Sequence, residues 1–243
     1  MKRKTFVLLA AAGAVALLAG CSFLFPTVAG SRSLVSSSYG FTGYTRIMAS
    51  QTFTVHVVPD TAYSIQVTCD DNIIPYLVVR QSGTAIEVGL EQGFNYVGVT
   101  ASAEVHMPAL TGLDLSGASR AVVGPGFSST APLSLMVSGA SSVDLKGVAC
   151  GPMTVDISGA STLAAVGTAS TETLLVSGAS TADLRSCVET GADVSISGAS
   201  QAYVNVGSGP ISLSVSGAST LFYSGAPALH VRDISGASRL VQM

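Results

Sequence analysis

From residue 113 onward, apolar and polar positions alternate in short runs, each interrupted by the same four residues. Leu113/Leu115, Leu135/Val137, Val155/Ile157, Leu174/Val176, Val194/Ile196 and Leu213/Val215 place aliphatic side chains two apart, and Ser-Gly-Ala-Ser follows at once. Past the motif the alternation resumes, in Ala121/Val123, Val143/Leu145, Leu163/Ala165, Ala182/Leu184, Ala202/Val204 and Leu221/Tyr223. A period of two puts every second side chain on one face, so each run predicts a strand with one buried face. No segment carries a 3.6-residue apolar stripe of adequate length for a packed helix.

Ser-Gly-Ala-Ser occurs at 116–119, 138–141, 158–161, 177–180, 197–200, 216–219 and 235–238, at spacings of 22, 20, 19, 20, 19 and 19. A fixed period near 20 signals a solenoid. Each unit reads as strand, corner, strand and return turn. Without helices, such units coil into an all-β, parallel β-helix whose rungs lie about 4.8 Å apart, so seven rungs span roughly 34 Å. At the corner, glycine permits the positive φ of a sharp bend. Alanine is expected to point inward where the walls converge, and serine hydroxyls to satisfy turn backbone groups. In the last unit Arg232 takes the inward place before Ile234, and Gln242 follows Leu240, which predicts a polar terminal cap.

Residues 111–243 thus form the repeat solenoid. Residues 38–110 keep strand character without the motif, at Tyr44–Ala49, Phe53–Pro59, Tyr63–Thr68, Ala85–Leu90 and Ala103–Met107. Asp60-Thr61 and Ser82-Gly83-Thr84 are turn signals between them. The stretch from Asp70 to Leu77 predicts one helical turn opened by an Asp cap. This region reads as wider first rungs of the same solenoid, or as a β-rich cap fused to it. Residues 21–37 are Ser/Gly-rich and read as a tether.

Four features together resemble one known family. They are Gly40-Phe41-Thr42-Gly43-Tyr44, Asp71-Asn72-Ile73-Ile74-Pro75-Tyr76, Val105-His106-Met107-Pro108-Ala109-Leu110 and the Leu-x-Leu-Ser-Gly-Ala-Ser repeats. The chain resembles, over about residues 38–243, the auto-transporter adhesin head domain, or head GIN domain, a domain of unknown function in exported bacterial proteins. The resemblance implies a right-handed β-helix and a cell-envelope location. It brings no catalytic residues.

The N-terminus reads as an address. Lys2, Arg3 and Lys4 precede an uncharged apolar stretch, Phe6 to Ala19. That is shorter than the about 20 residues of a spanning helix, so residues 1–20 read as an export signal peptide. The stretch closes on Leu18-Ala19-Gly20-Cys21, which resembles the bacterial lipobox and makes Cys21 the expected site of lipid attachment. Several acyl chains there would hold the protein on a membrane more firmly than one. Ser22 follows rather than Asp, which favours the outer membrane.

Composition narrows the remaining classes. Apolar residues make up 48% and charged residues 10% of 243 positions, which excludes intrinsic disorder. Only 11 residues are Lys or Arg, and removal of the signal leaves 8 basic against 14 acidic residues. A nucleic-acid partner, which needs a cationic surface, is excluded on that ground. Cys69, Cys150 and Cys187 lie outside the signal, an odd number with no Cys-x-x-Cys spacing; a Cys150–Cys187 disulfide would suit an oxidising compartment.

Candidate chemistry is sparse. Stacking predicts two outward columns. Asp114, Met136, Asp156, Leu175, Ser195, Ser214 and Asp233 form one; Val122, Asp144, Ala164, Asp183, Tyr203, Phe222 and Val241 form the other. Asp114 and Asp156 would sit two rungs or roughly 9.6 Å apart, near the upper end of an inverting glycosidase pair, with no basic group in the column. His56, His106 and His230 share no metal-ligand spacing. The one binding feature is Tyr203 beside Phe222, an aromatic platform for a sugar ring or an apolar partner. The sequence therefore predicts no cofactor, no metal and no catalytic residues. It predicts a membrane contact through the lipid anchor and a surface glycan or protein partner. The leading reading is a non-enzymatic, adhesin-like or partner-binding envelope protein. A carbohydrate-active lyase or hydrolase on the same solenoid, and a passive periplasmic scaffold, are the alternatives.

Overall fold

A computed structural model describes residues 25–243; residues 1–20, read above as an export signal, and Cys21 lie outside the described residues. The N-terminal strands are β1 (Thr27–Ala29), β2 (Leu34–Tyr39), β3 (Arg46–Ala49), β4 (Thr54–Pro59), β5 (Ser64–Asp70), β6 (Leu77–Ser82), β7 (Ala85–Leu90), β8 (Asn95–Val97) and β9 (Ala101–Met107). A single 3-10 turn, Asp71–Tyr76, joins β5 to β6. The repeat region supplies pairs around each corner: β10 (Gly112–Leu115) and β11 (Arg120–Val123), β12 (Leu133–Val137) and β13 (Ser142–Cys150), β14 (Met153–Ile157) and β15 (Thr162–Ala169), and β16 (Glu172–Val176) and β17 (Thr181–Glu189). It continues through β18 (Ala192–Ile196) and β19 (Gln201–Asn205), β20 (Pro210–Val215) and β21 (Thr220–Ser224), and β22 (Ala228–Ile234) and β23 (Arg239–Gln242).

These strands stack as a parallel β-solenoid. One wall runs β7-β3-β10-β12-β14-β16-β18-β20-β22 and the other β9-β4-β11-β13-β15-β17-β19-β21-β23, every neighbour parallel. In the strands that precede the corners, from β10 to β20, the expected register holds residue for residue, with Leu113 opposite Leu135 and Leu135 opposite Val155. Leu113, Leu135, Val155, Leu174, Val194 and Leu213 form an interior column with no exposed surface. Each such side chain stabilises the fold by about 1.5–3 kcal/mol relative to exposure.

Before the repeats, the region without the motif is both rung and cap. β3 and β4 form a true rung that lies directly against β10 and β11. The chain then turns back to build a further rung, β7 and β9, on the far side of β3 and β4. Antiparallel β6 flanks β7, antiparallel β5 flanks β9, β2 pairs antiparallel with the outer edge of β5, and β1 pairs with β8. β1 and β2 fall within or across the end of the stretch read as a tether. Their residues are ordered because each pairs with a neighbouring strand, although their serine-rich, mostly exposed faces carry a weak apolar alternation.

The corner is built differently from expectation. Ala118, Ala140 and Ala160 are exposed, and the serine that follows each is buried. The positive-φ glycine turns the chain so that the fourth residue, not the third, starts the inward parity of the next strand. The buried hydroxyls form a ladder: Ser119 donates its N–H to the Ser141 Oγ at 3.3 Å, and Ser141 to the Ser161 Oγ at 3.3 Å. Glycine is required twice over, because Gly159 has φ +79° and a Cβ there would come within 2.4 Å of the Gly139 carbonyl oxygen. The rung below the repeats makes the same corner without glycine, holding Gln51 and Thr52 at φ +59° and +64°.

The C-terminal rung also departs from expectation. A register shift between Leu213 and Ser214 places Val231 opposite Leu213 and Asp233 opposite Ser214. Arg232 is thereby extruded as a bulge and pairs outward with Asp193. It does not cap the core. Every residue of β22 is exposed.

Candidate functional site

The outward column of the first wall continues one step further than the repeats predict. Glu87 lies opposite Met48, Met48 opposite Asp114, Asp114 opposite Met136, Met136 opposite Asp156, and Asp156 opposite Leu175. Acidic and apolar side chains thus alternate along the rod at intervals of about 4.8 Å. Met48, Met136 and Leu175 are 39%, 51% and 42% exposed. Beside the column, Ser50, Ser116 and Ser138 from successive corners and Gln92 from the β7–β8 loop complete a groove of about 380 Å³.

Basic side chains do reach this column, contrary to the sequence reading. Arg46 grips Asp114 through Nε at 2.7 Å and Nη2 at 2.5 Å. It lies over Gly112, where a Cβ would meet its guanidinium at 2.6 Å. Arg80 holds Glu87 at 2.7 Å. Both acids are therefore fixed and committed to guanidinium partners. The groove offers carboxylate, hydroxyl and amide groups beside soft thioethers, which adapt to varied partners.

On the opposite wall Tyr203 and Phe222 meet as the sequence places them, with ring centroids 4.6 Å apart and planes 8° from parallel. Arg185 covers the other face of Tyr203, its guanidinium carbon 4.5 Å from the ring centroid. Arg185 also forks Asp183 through Nε at 2.9 Å, and this partner holds the Asp183 carboxyl below the usual carboxylate range. Both faces of Tyr203 are occupied, and Val241 of the next rung stands opposite Phe222. The pair presents ring edges to a ligand rather than an open face.

The histidines are dispersed. His106 is held by Asp60 at Nδ1, 3.0 Å, and by Glu104 at Nε2, 2.9 Å. The Glu104 carboxylate first, then Asp60, raises its pKa above the ordinary value. His56 lies opposite Glu104, and His230 is far off on β22. Among the described residues no three His, Cys, Asp or Glu side chains are arranged to hold a metal ion.

One cluster escaped the sequence reading. Glu172 and Glu189 are 3% and 1% exposed inside the solenoid, and their carboxyl oxygens find no hydrogen-bond donor among other side chains or the backbone. Burial raises both pKa values, and the neighbouring Glu172 carboxyl raises Glu189 further. The inward parity of Leu174 and Val176, extended back one step, reaches Glu172, so a signal was present. Cys187 lies beside them, and burial pushes its thiol pKa up. Cys69, Cys150 and Cys187 are all free. Cys150 and Cys187 are on β13 and β17 with β15 between them, a separation of roughly 9.6 Å, beyond the about 7 Å limit of a disulfide. Both acids are buried, Glu172 at the floor of a surface pocket that Thr171, Thr173 and Asp193 also line.

The chain matches the family described as "Putative auto-transporter adhesin, head GIN domain" over residues 43–227. A comparison with curated proteins returns no match. Among solved structures, a putative adhesin from Bacteroides fragilis NCTC 9343 superposes with TM-score 0.82 at 17% identity, covering 89% of this chain and 100% of that one. A putative adhesin from Parabacteroides distasonis ATCC 8503 gives TM-score 0.70 at 16% identity, covering 89% and 100%. A protein of the same organism named a putative lipid binding protein gives 0.68 at 13%, covering 89% and 99%. At these identities the likeness shows a shared fold.

Proposed function

The chain belongs to the auto-transporter adhesin head GIN domain family, and from that premise we propose that it is a non-enzymatic, adhesin-like envelope protein. In this reading it is exported, acylated at Cys21 and held at the outer membrane, and the solenoid exterior engages a surface glycan or protein. The observation that carries the reading is the groove around Met48, Asp114 and Met136. There, exposed thioethers alternate with acids already locked by Arg46 and Arg80. The acids with raised pKa values, which acid–base catalysis would use, lie buried at Glu172 and Glu189 instead. That distribution supports binding over turnover.

Glycan and protein arrays probed with the mature chain test it. Binding is expected, and Met48→Ser/Met136→Ser is expected to weaken it at least about tenfold, the loss of about 1.4 kcal/mol. Tyr203→Ala/Phe222→Ala serves as the comparison on the other wall. If that variant alone loses binding, the aromatic pair is the site. An array without ligand supports the passive scaffold, and glycan turnover would establish the enzyme.

A further inference from the structure

The end of the solenoid built from the earliest strands carries a feature that the groove does not explain. The 3-10 turn Asp71–Tyr76 crosses this end. Its Ile73 is fully buried as a plug, whereas Ile74, the next residue, is 49% exposed. The turn is tied in place from several sides. Asp70 accepts the N–H of Arg32 at 2.6 Å and of Thr100 at 2.7 Å, and Asn72 donates its side-chain amide to the Ala29 carbonyl at 2.8 Å. Asp70 therefore does not cap the turn; its carboxylate knits the β1–β2 and β8–β9 links to it.

An aromatic cluster sits beside that turn. Tyr76 meets Phe94 edge-on at 4.8 Å and Tyr96 at 6.1 Å. The Tyr96 hydroxyl donates to the Glu91 carbonyl at 2.9 Å, and Glu91 in turn donates its N–H to the Tyr76 carbonyl at 2.8 Å. On the outer face of the β1–β8 ribbon, whose Val28 and Tyr96 pack inward, Phe25 is 53% and Val97 51% exposed. Pairing of β1 with β8 brings these two to the same edge, since the Asn95 N–H donates to the Pro26 carbonyl. Exposed apolar side chains held on a rigid, tied aromatic base mark an interaction site.

We propose that this end of the solenoid docks on the lipid bilayer, with Phe25, Ile74 and Val97 in the headgroup–acyl boundary and the rings of Tyr76, Phe94 and Tyr96 as the rigid base behind them. Where the chain enters selects the bilayer over other partners. Cys21 precedes Phe25 by four residues, so an acyl group there lies within about 14 Å of the patch along an extended chain. The inference leans on the acylation reading for that proximity and on the patch for the contact. Docking would stand the rod upright, with the groove on its side wall next to the docked end.

Single tryptophans test this, because the sequence contains none. Val97→Trp, with Tyr96→Trp as a second reporter at the same end, would be placed in the full processed protein on vesicles of phosphatidylcholine and phosphatidylglycerol containing bromine-labelled acyl chains. Phe222→Trp, seven rungs or about 34 Å further along the axis, is the control. Several-fold stronger quenching at position 97 or 96 than at 222 is expected. Equal quenching, or none at either end, would overturn the proposal. Mass spectrometry of residue 21 separates the two readings. An acylated protein without quenching sinks the docking and leaves the anchor. Without acylation, position-dependent quenching of the Cys21→Ser protein, abolished by Phe25→Ser/Ile74→Ser, keeps the docking and removes the anchor.

Discussion

Two carboxyl groups interrupt the aliphatic stacking at Glu172 and Glu189, and they make folding sensitive to alkali. In the unfolded chain both ionise near the ordinary value of 4.5. In the folded chain burial holds both above it, so the native state retains protons that the unfolded state has lost. Stability then falls as pH rises from 4.5 through the raised values, by about 1.4 kcal/mol per pH unit for each retained proton. His106 adds to the same trend at higher pH. Its raised pKa contributes stability that is complete below 6.5 and lost as pH climbs through the folded value. Urea midpoints measured between about pH 5 and pH 9 should therefore decline for the wild type and decline less for Glu172→Gln/Glu189→Gln. Parallel curves would show that the pair ionises freely. At this scale the sequence was legible wherever side-chain parity decides. Leu113, Tyr203 and Asp156 fall where alternation puts them. The inward serine at the corner was not legible, because one positive-φ glycine shifts the parity by a residue.

Each coil touches only the coils beside it, so the strand–corner–strand unit is also the unit of stability. The register shows this directly: β12 pairs with β10 and β14, and β13 with β11 and β15. Removing residues 138–157 would join Val137 to Ser158, at the same point of the next repeat. The shortened chain should unfold cooperatively with an m-value lower by roughly a tenth, in proportion to the surface lost. Removing only residues 148–157 would bring inward side chains out of phase and should abolish cooperative unfolding. Circular dichroism with urea checks both, and two equally cooperative variants would refute the nearest-neighbour picture. The repeat made this level of structure legible to within the register. Two element-scale features were hidden. The back-turn that puts β7 and β9 beyond β3 and β4 depends on contacts between segments that carry no shared motif. The bulge at Arg232 depends on the guanidinium finding Asp193 two coils away, a partner that local alternation does not display.

Over the whole molecule the two ends of the solenoid differ, and that difference predicts where it opens. At one end Ile73 of the tied turn is fully buried, antiparallel β5 and β6 flank the rung of β9 and β7, and β2 covers the outer edge of β5. At the other, β22 leaves Leu229 44%, Val231 47% and Ile234 43% exposed. A coil with neighbours on one side and little buried surface opens at low free energy, whereas an interior coil opens only when its neighbours do. Amide hydrogen exchange should therefore be fast in β22 and β23 and slowest in β14–β18. At the tied end, β7 and β9 should approach the protection of the interior. Ile73→Ala removes the plug, with an expected cost of about 2–5 kcal/mol. Its effect should appear as faster exchange confined to β5–β9, leaving β14–β18 unchanged. If the substitution speeds exchange uniformly along the rod, the solenoid opens as one body. The turn Asp71–Tyr76 would then be an ordinary part of its core rather than a closure of one end.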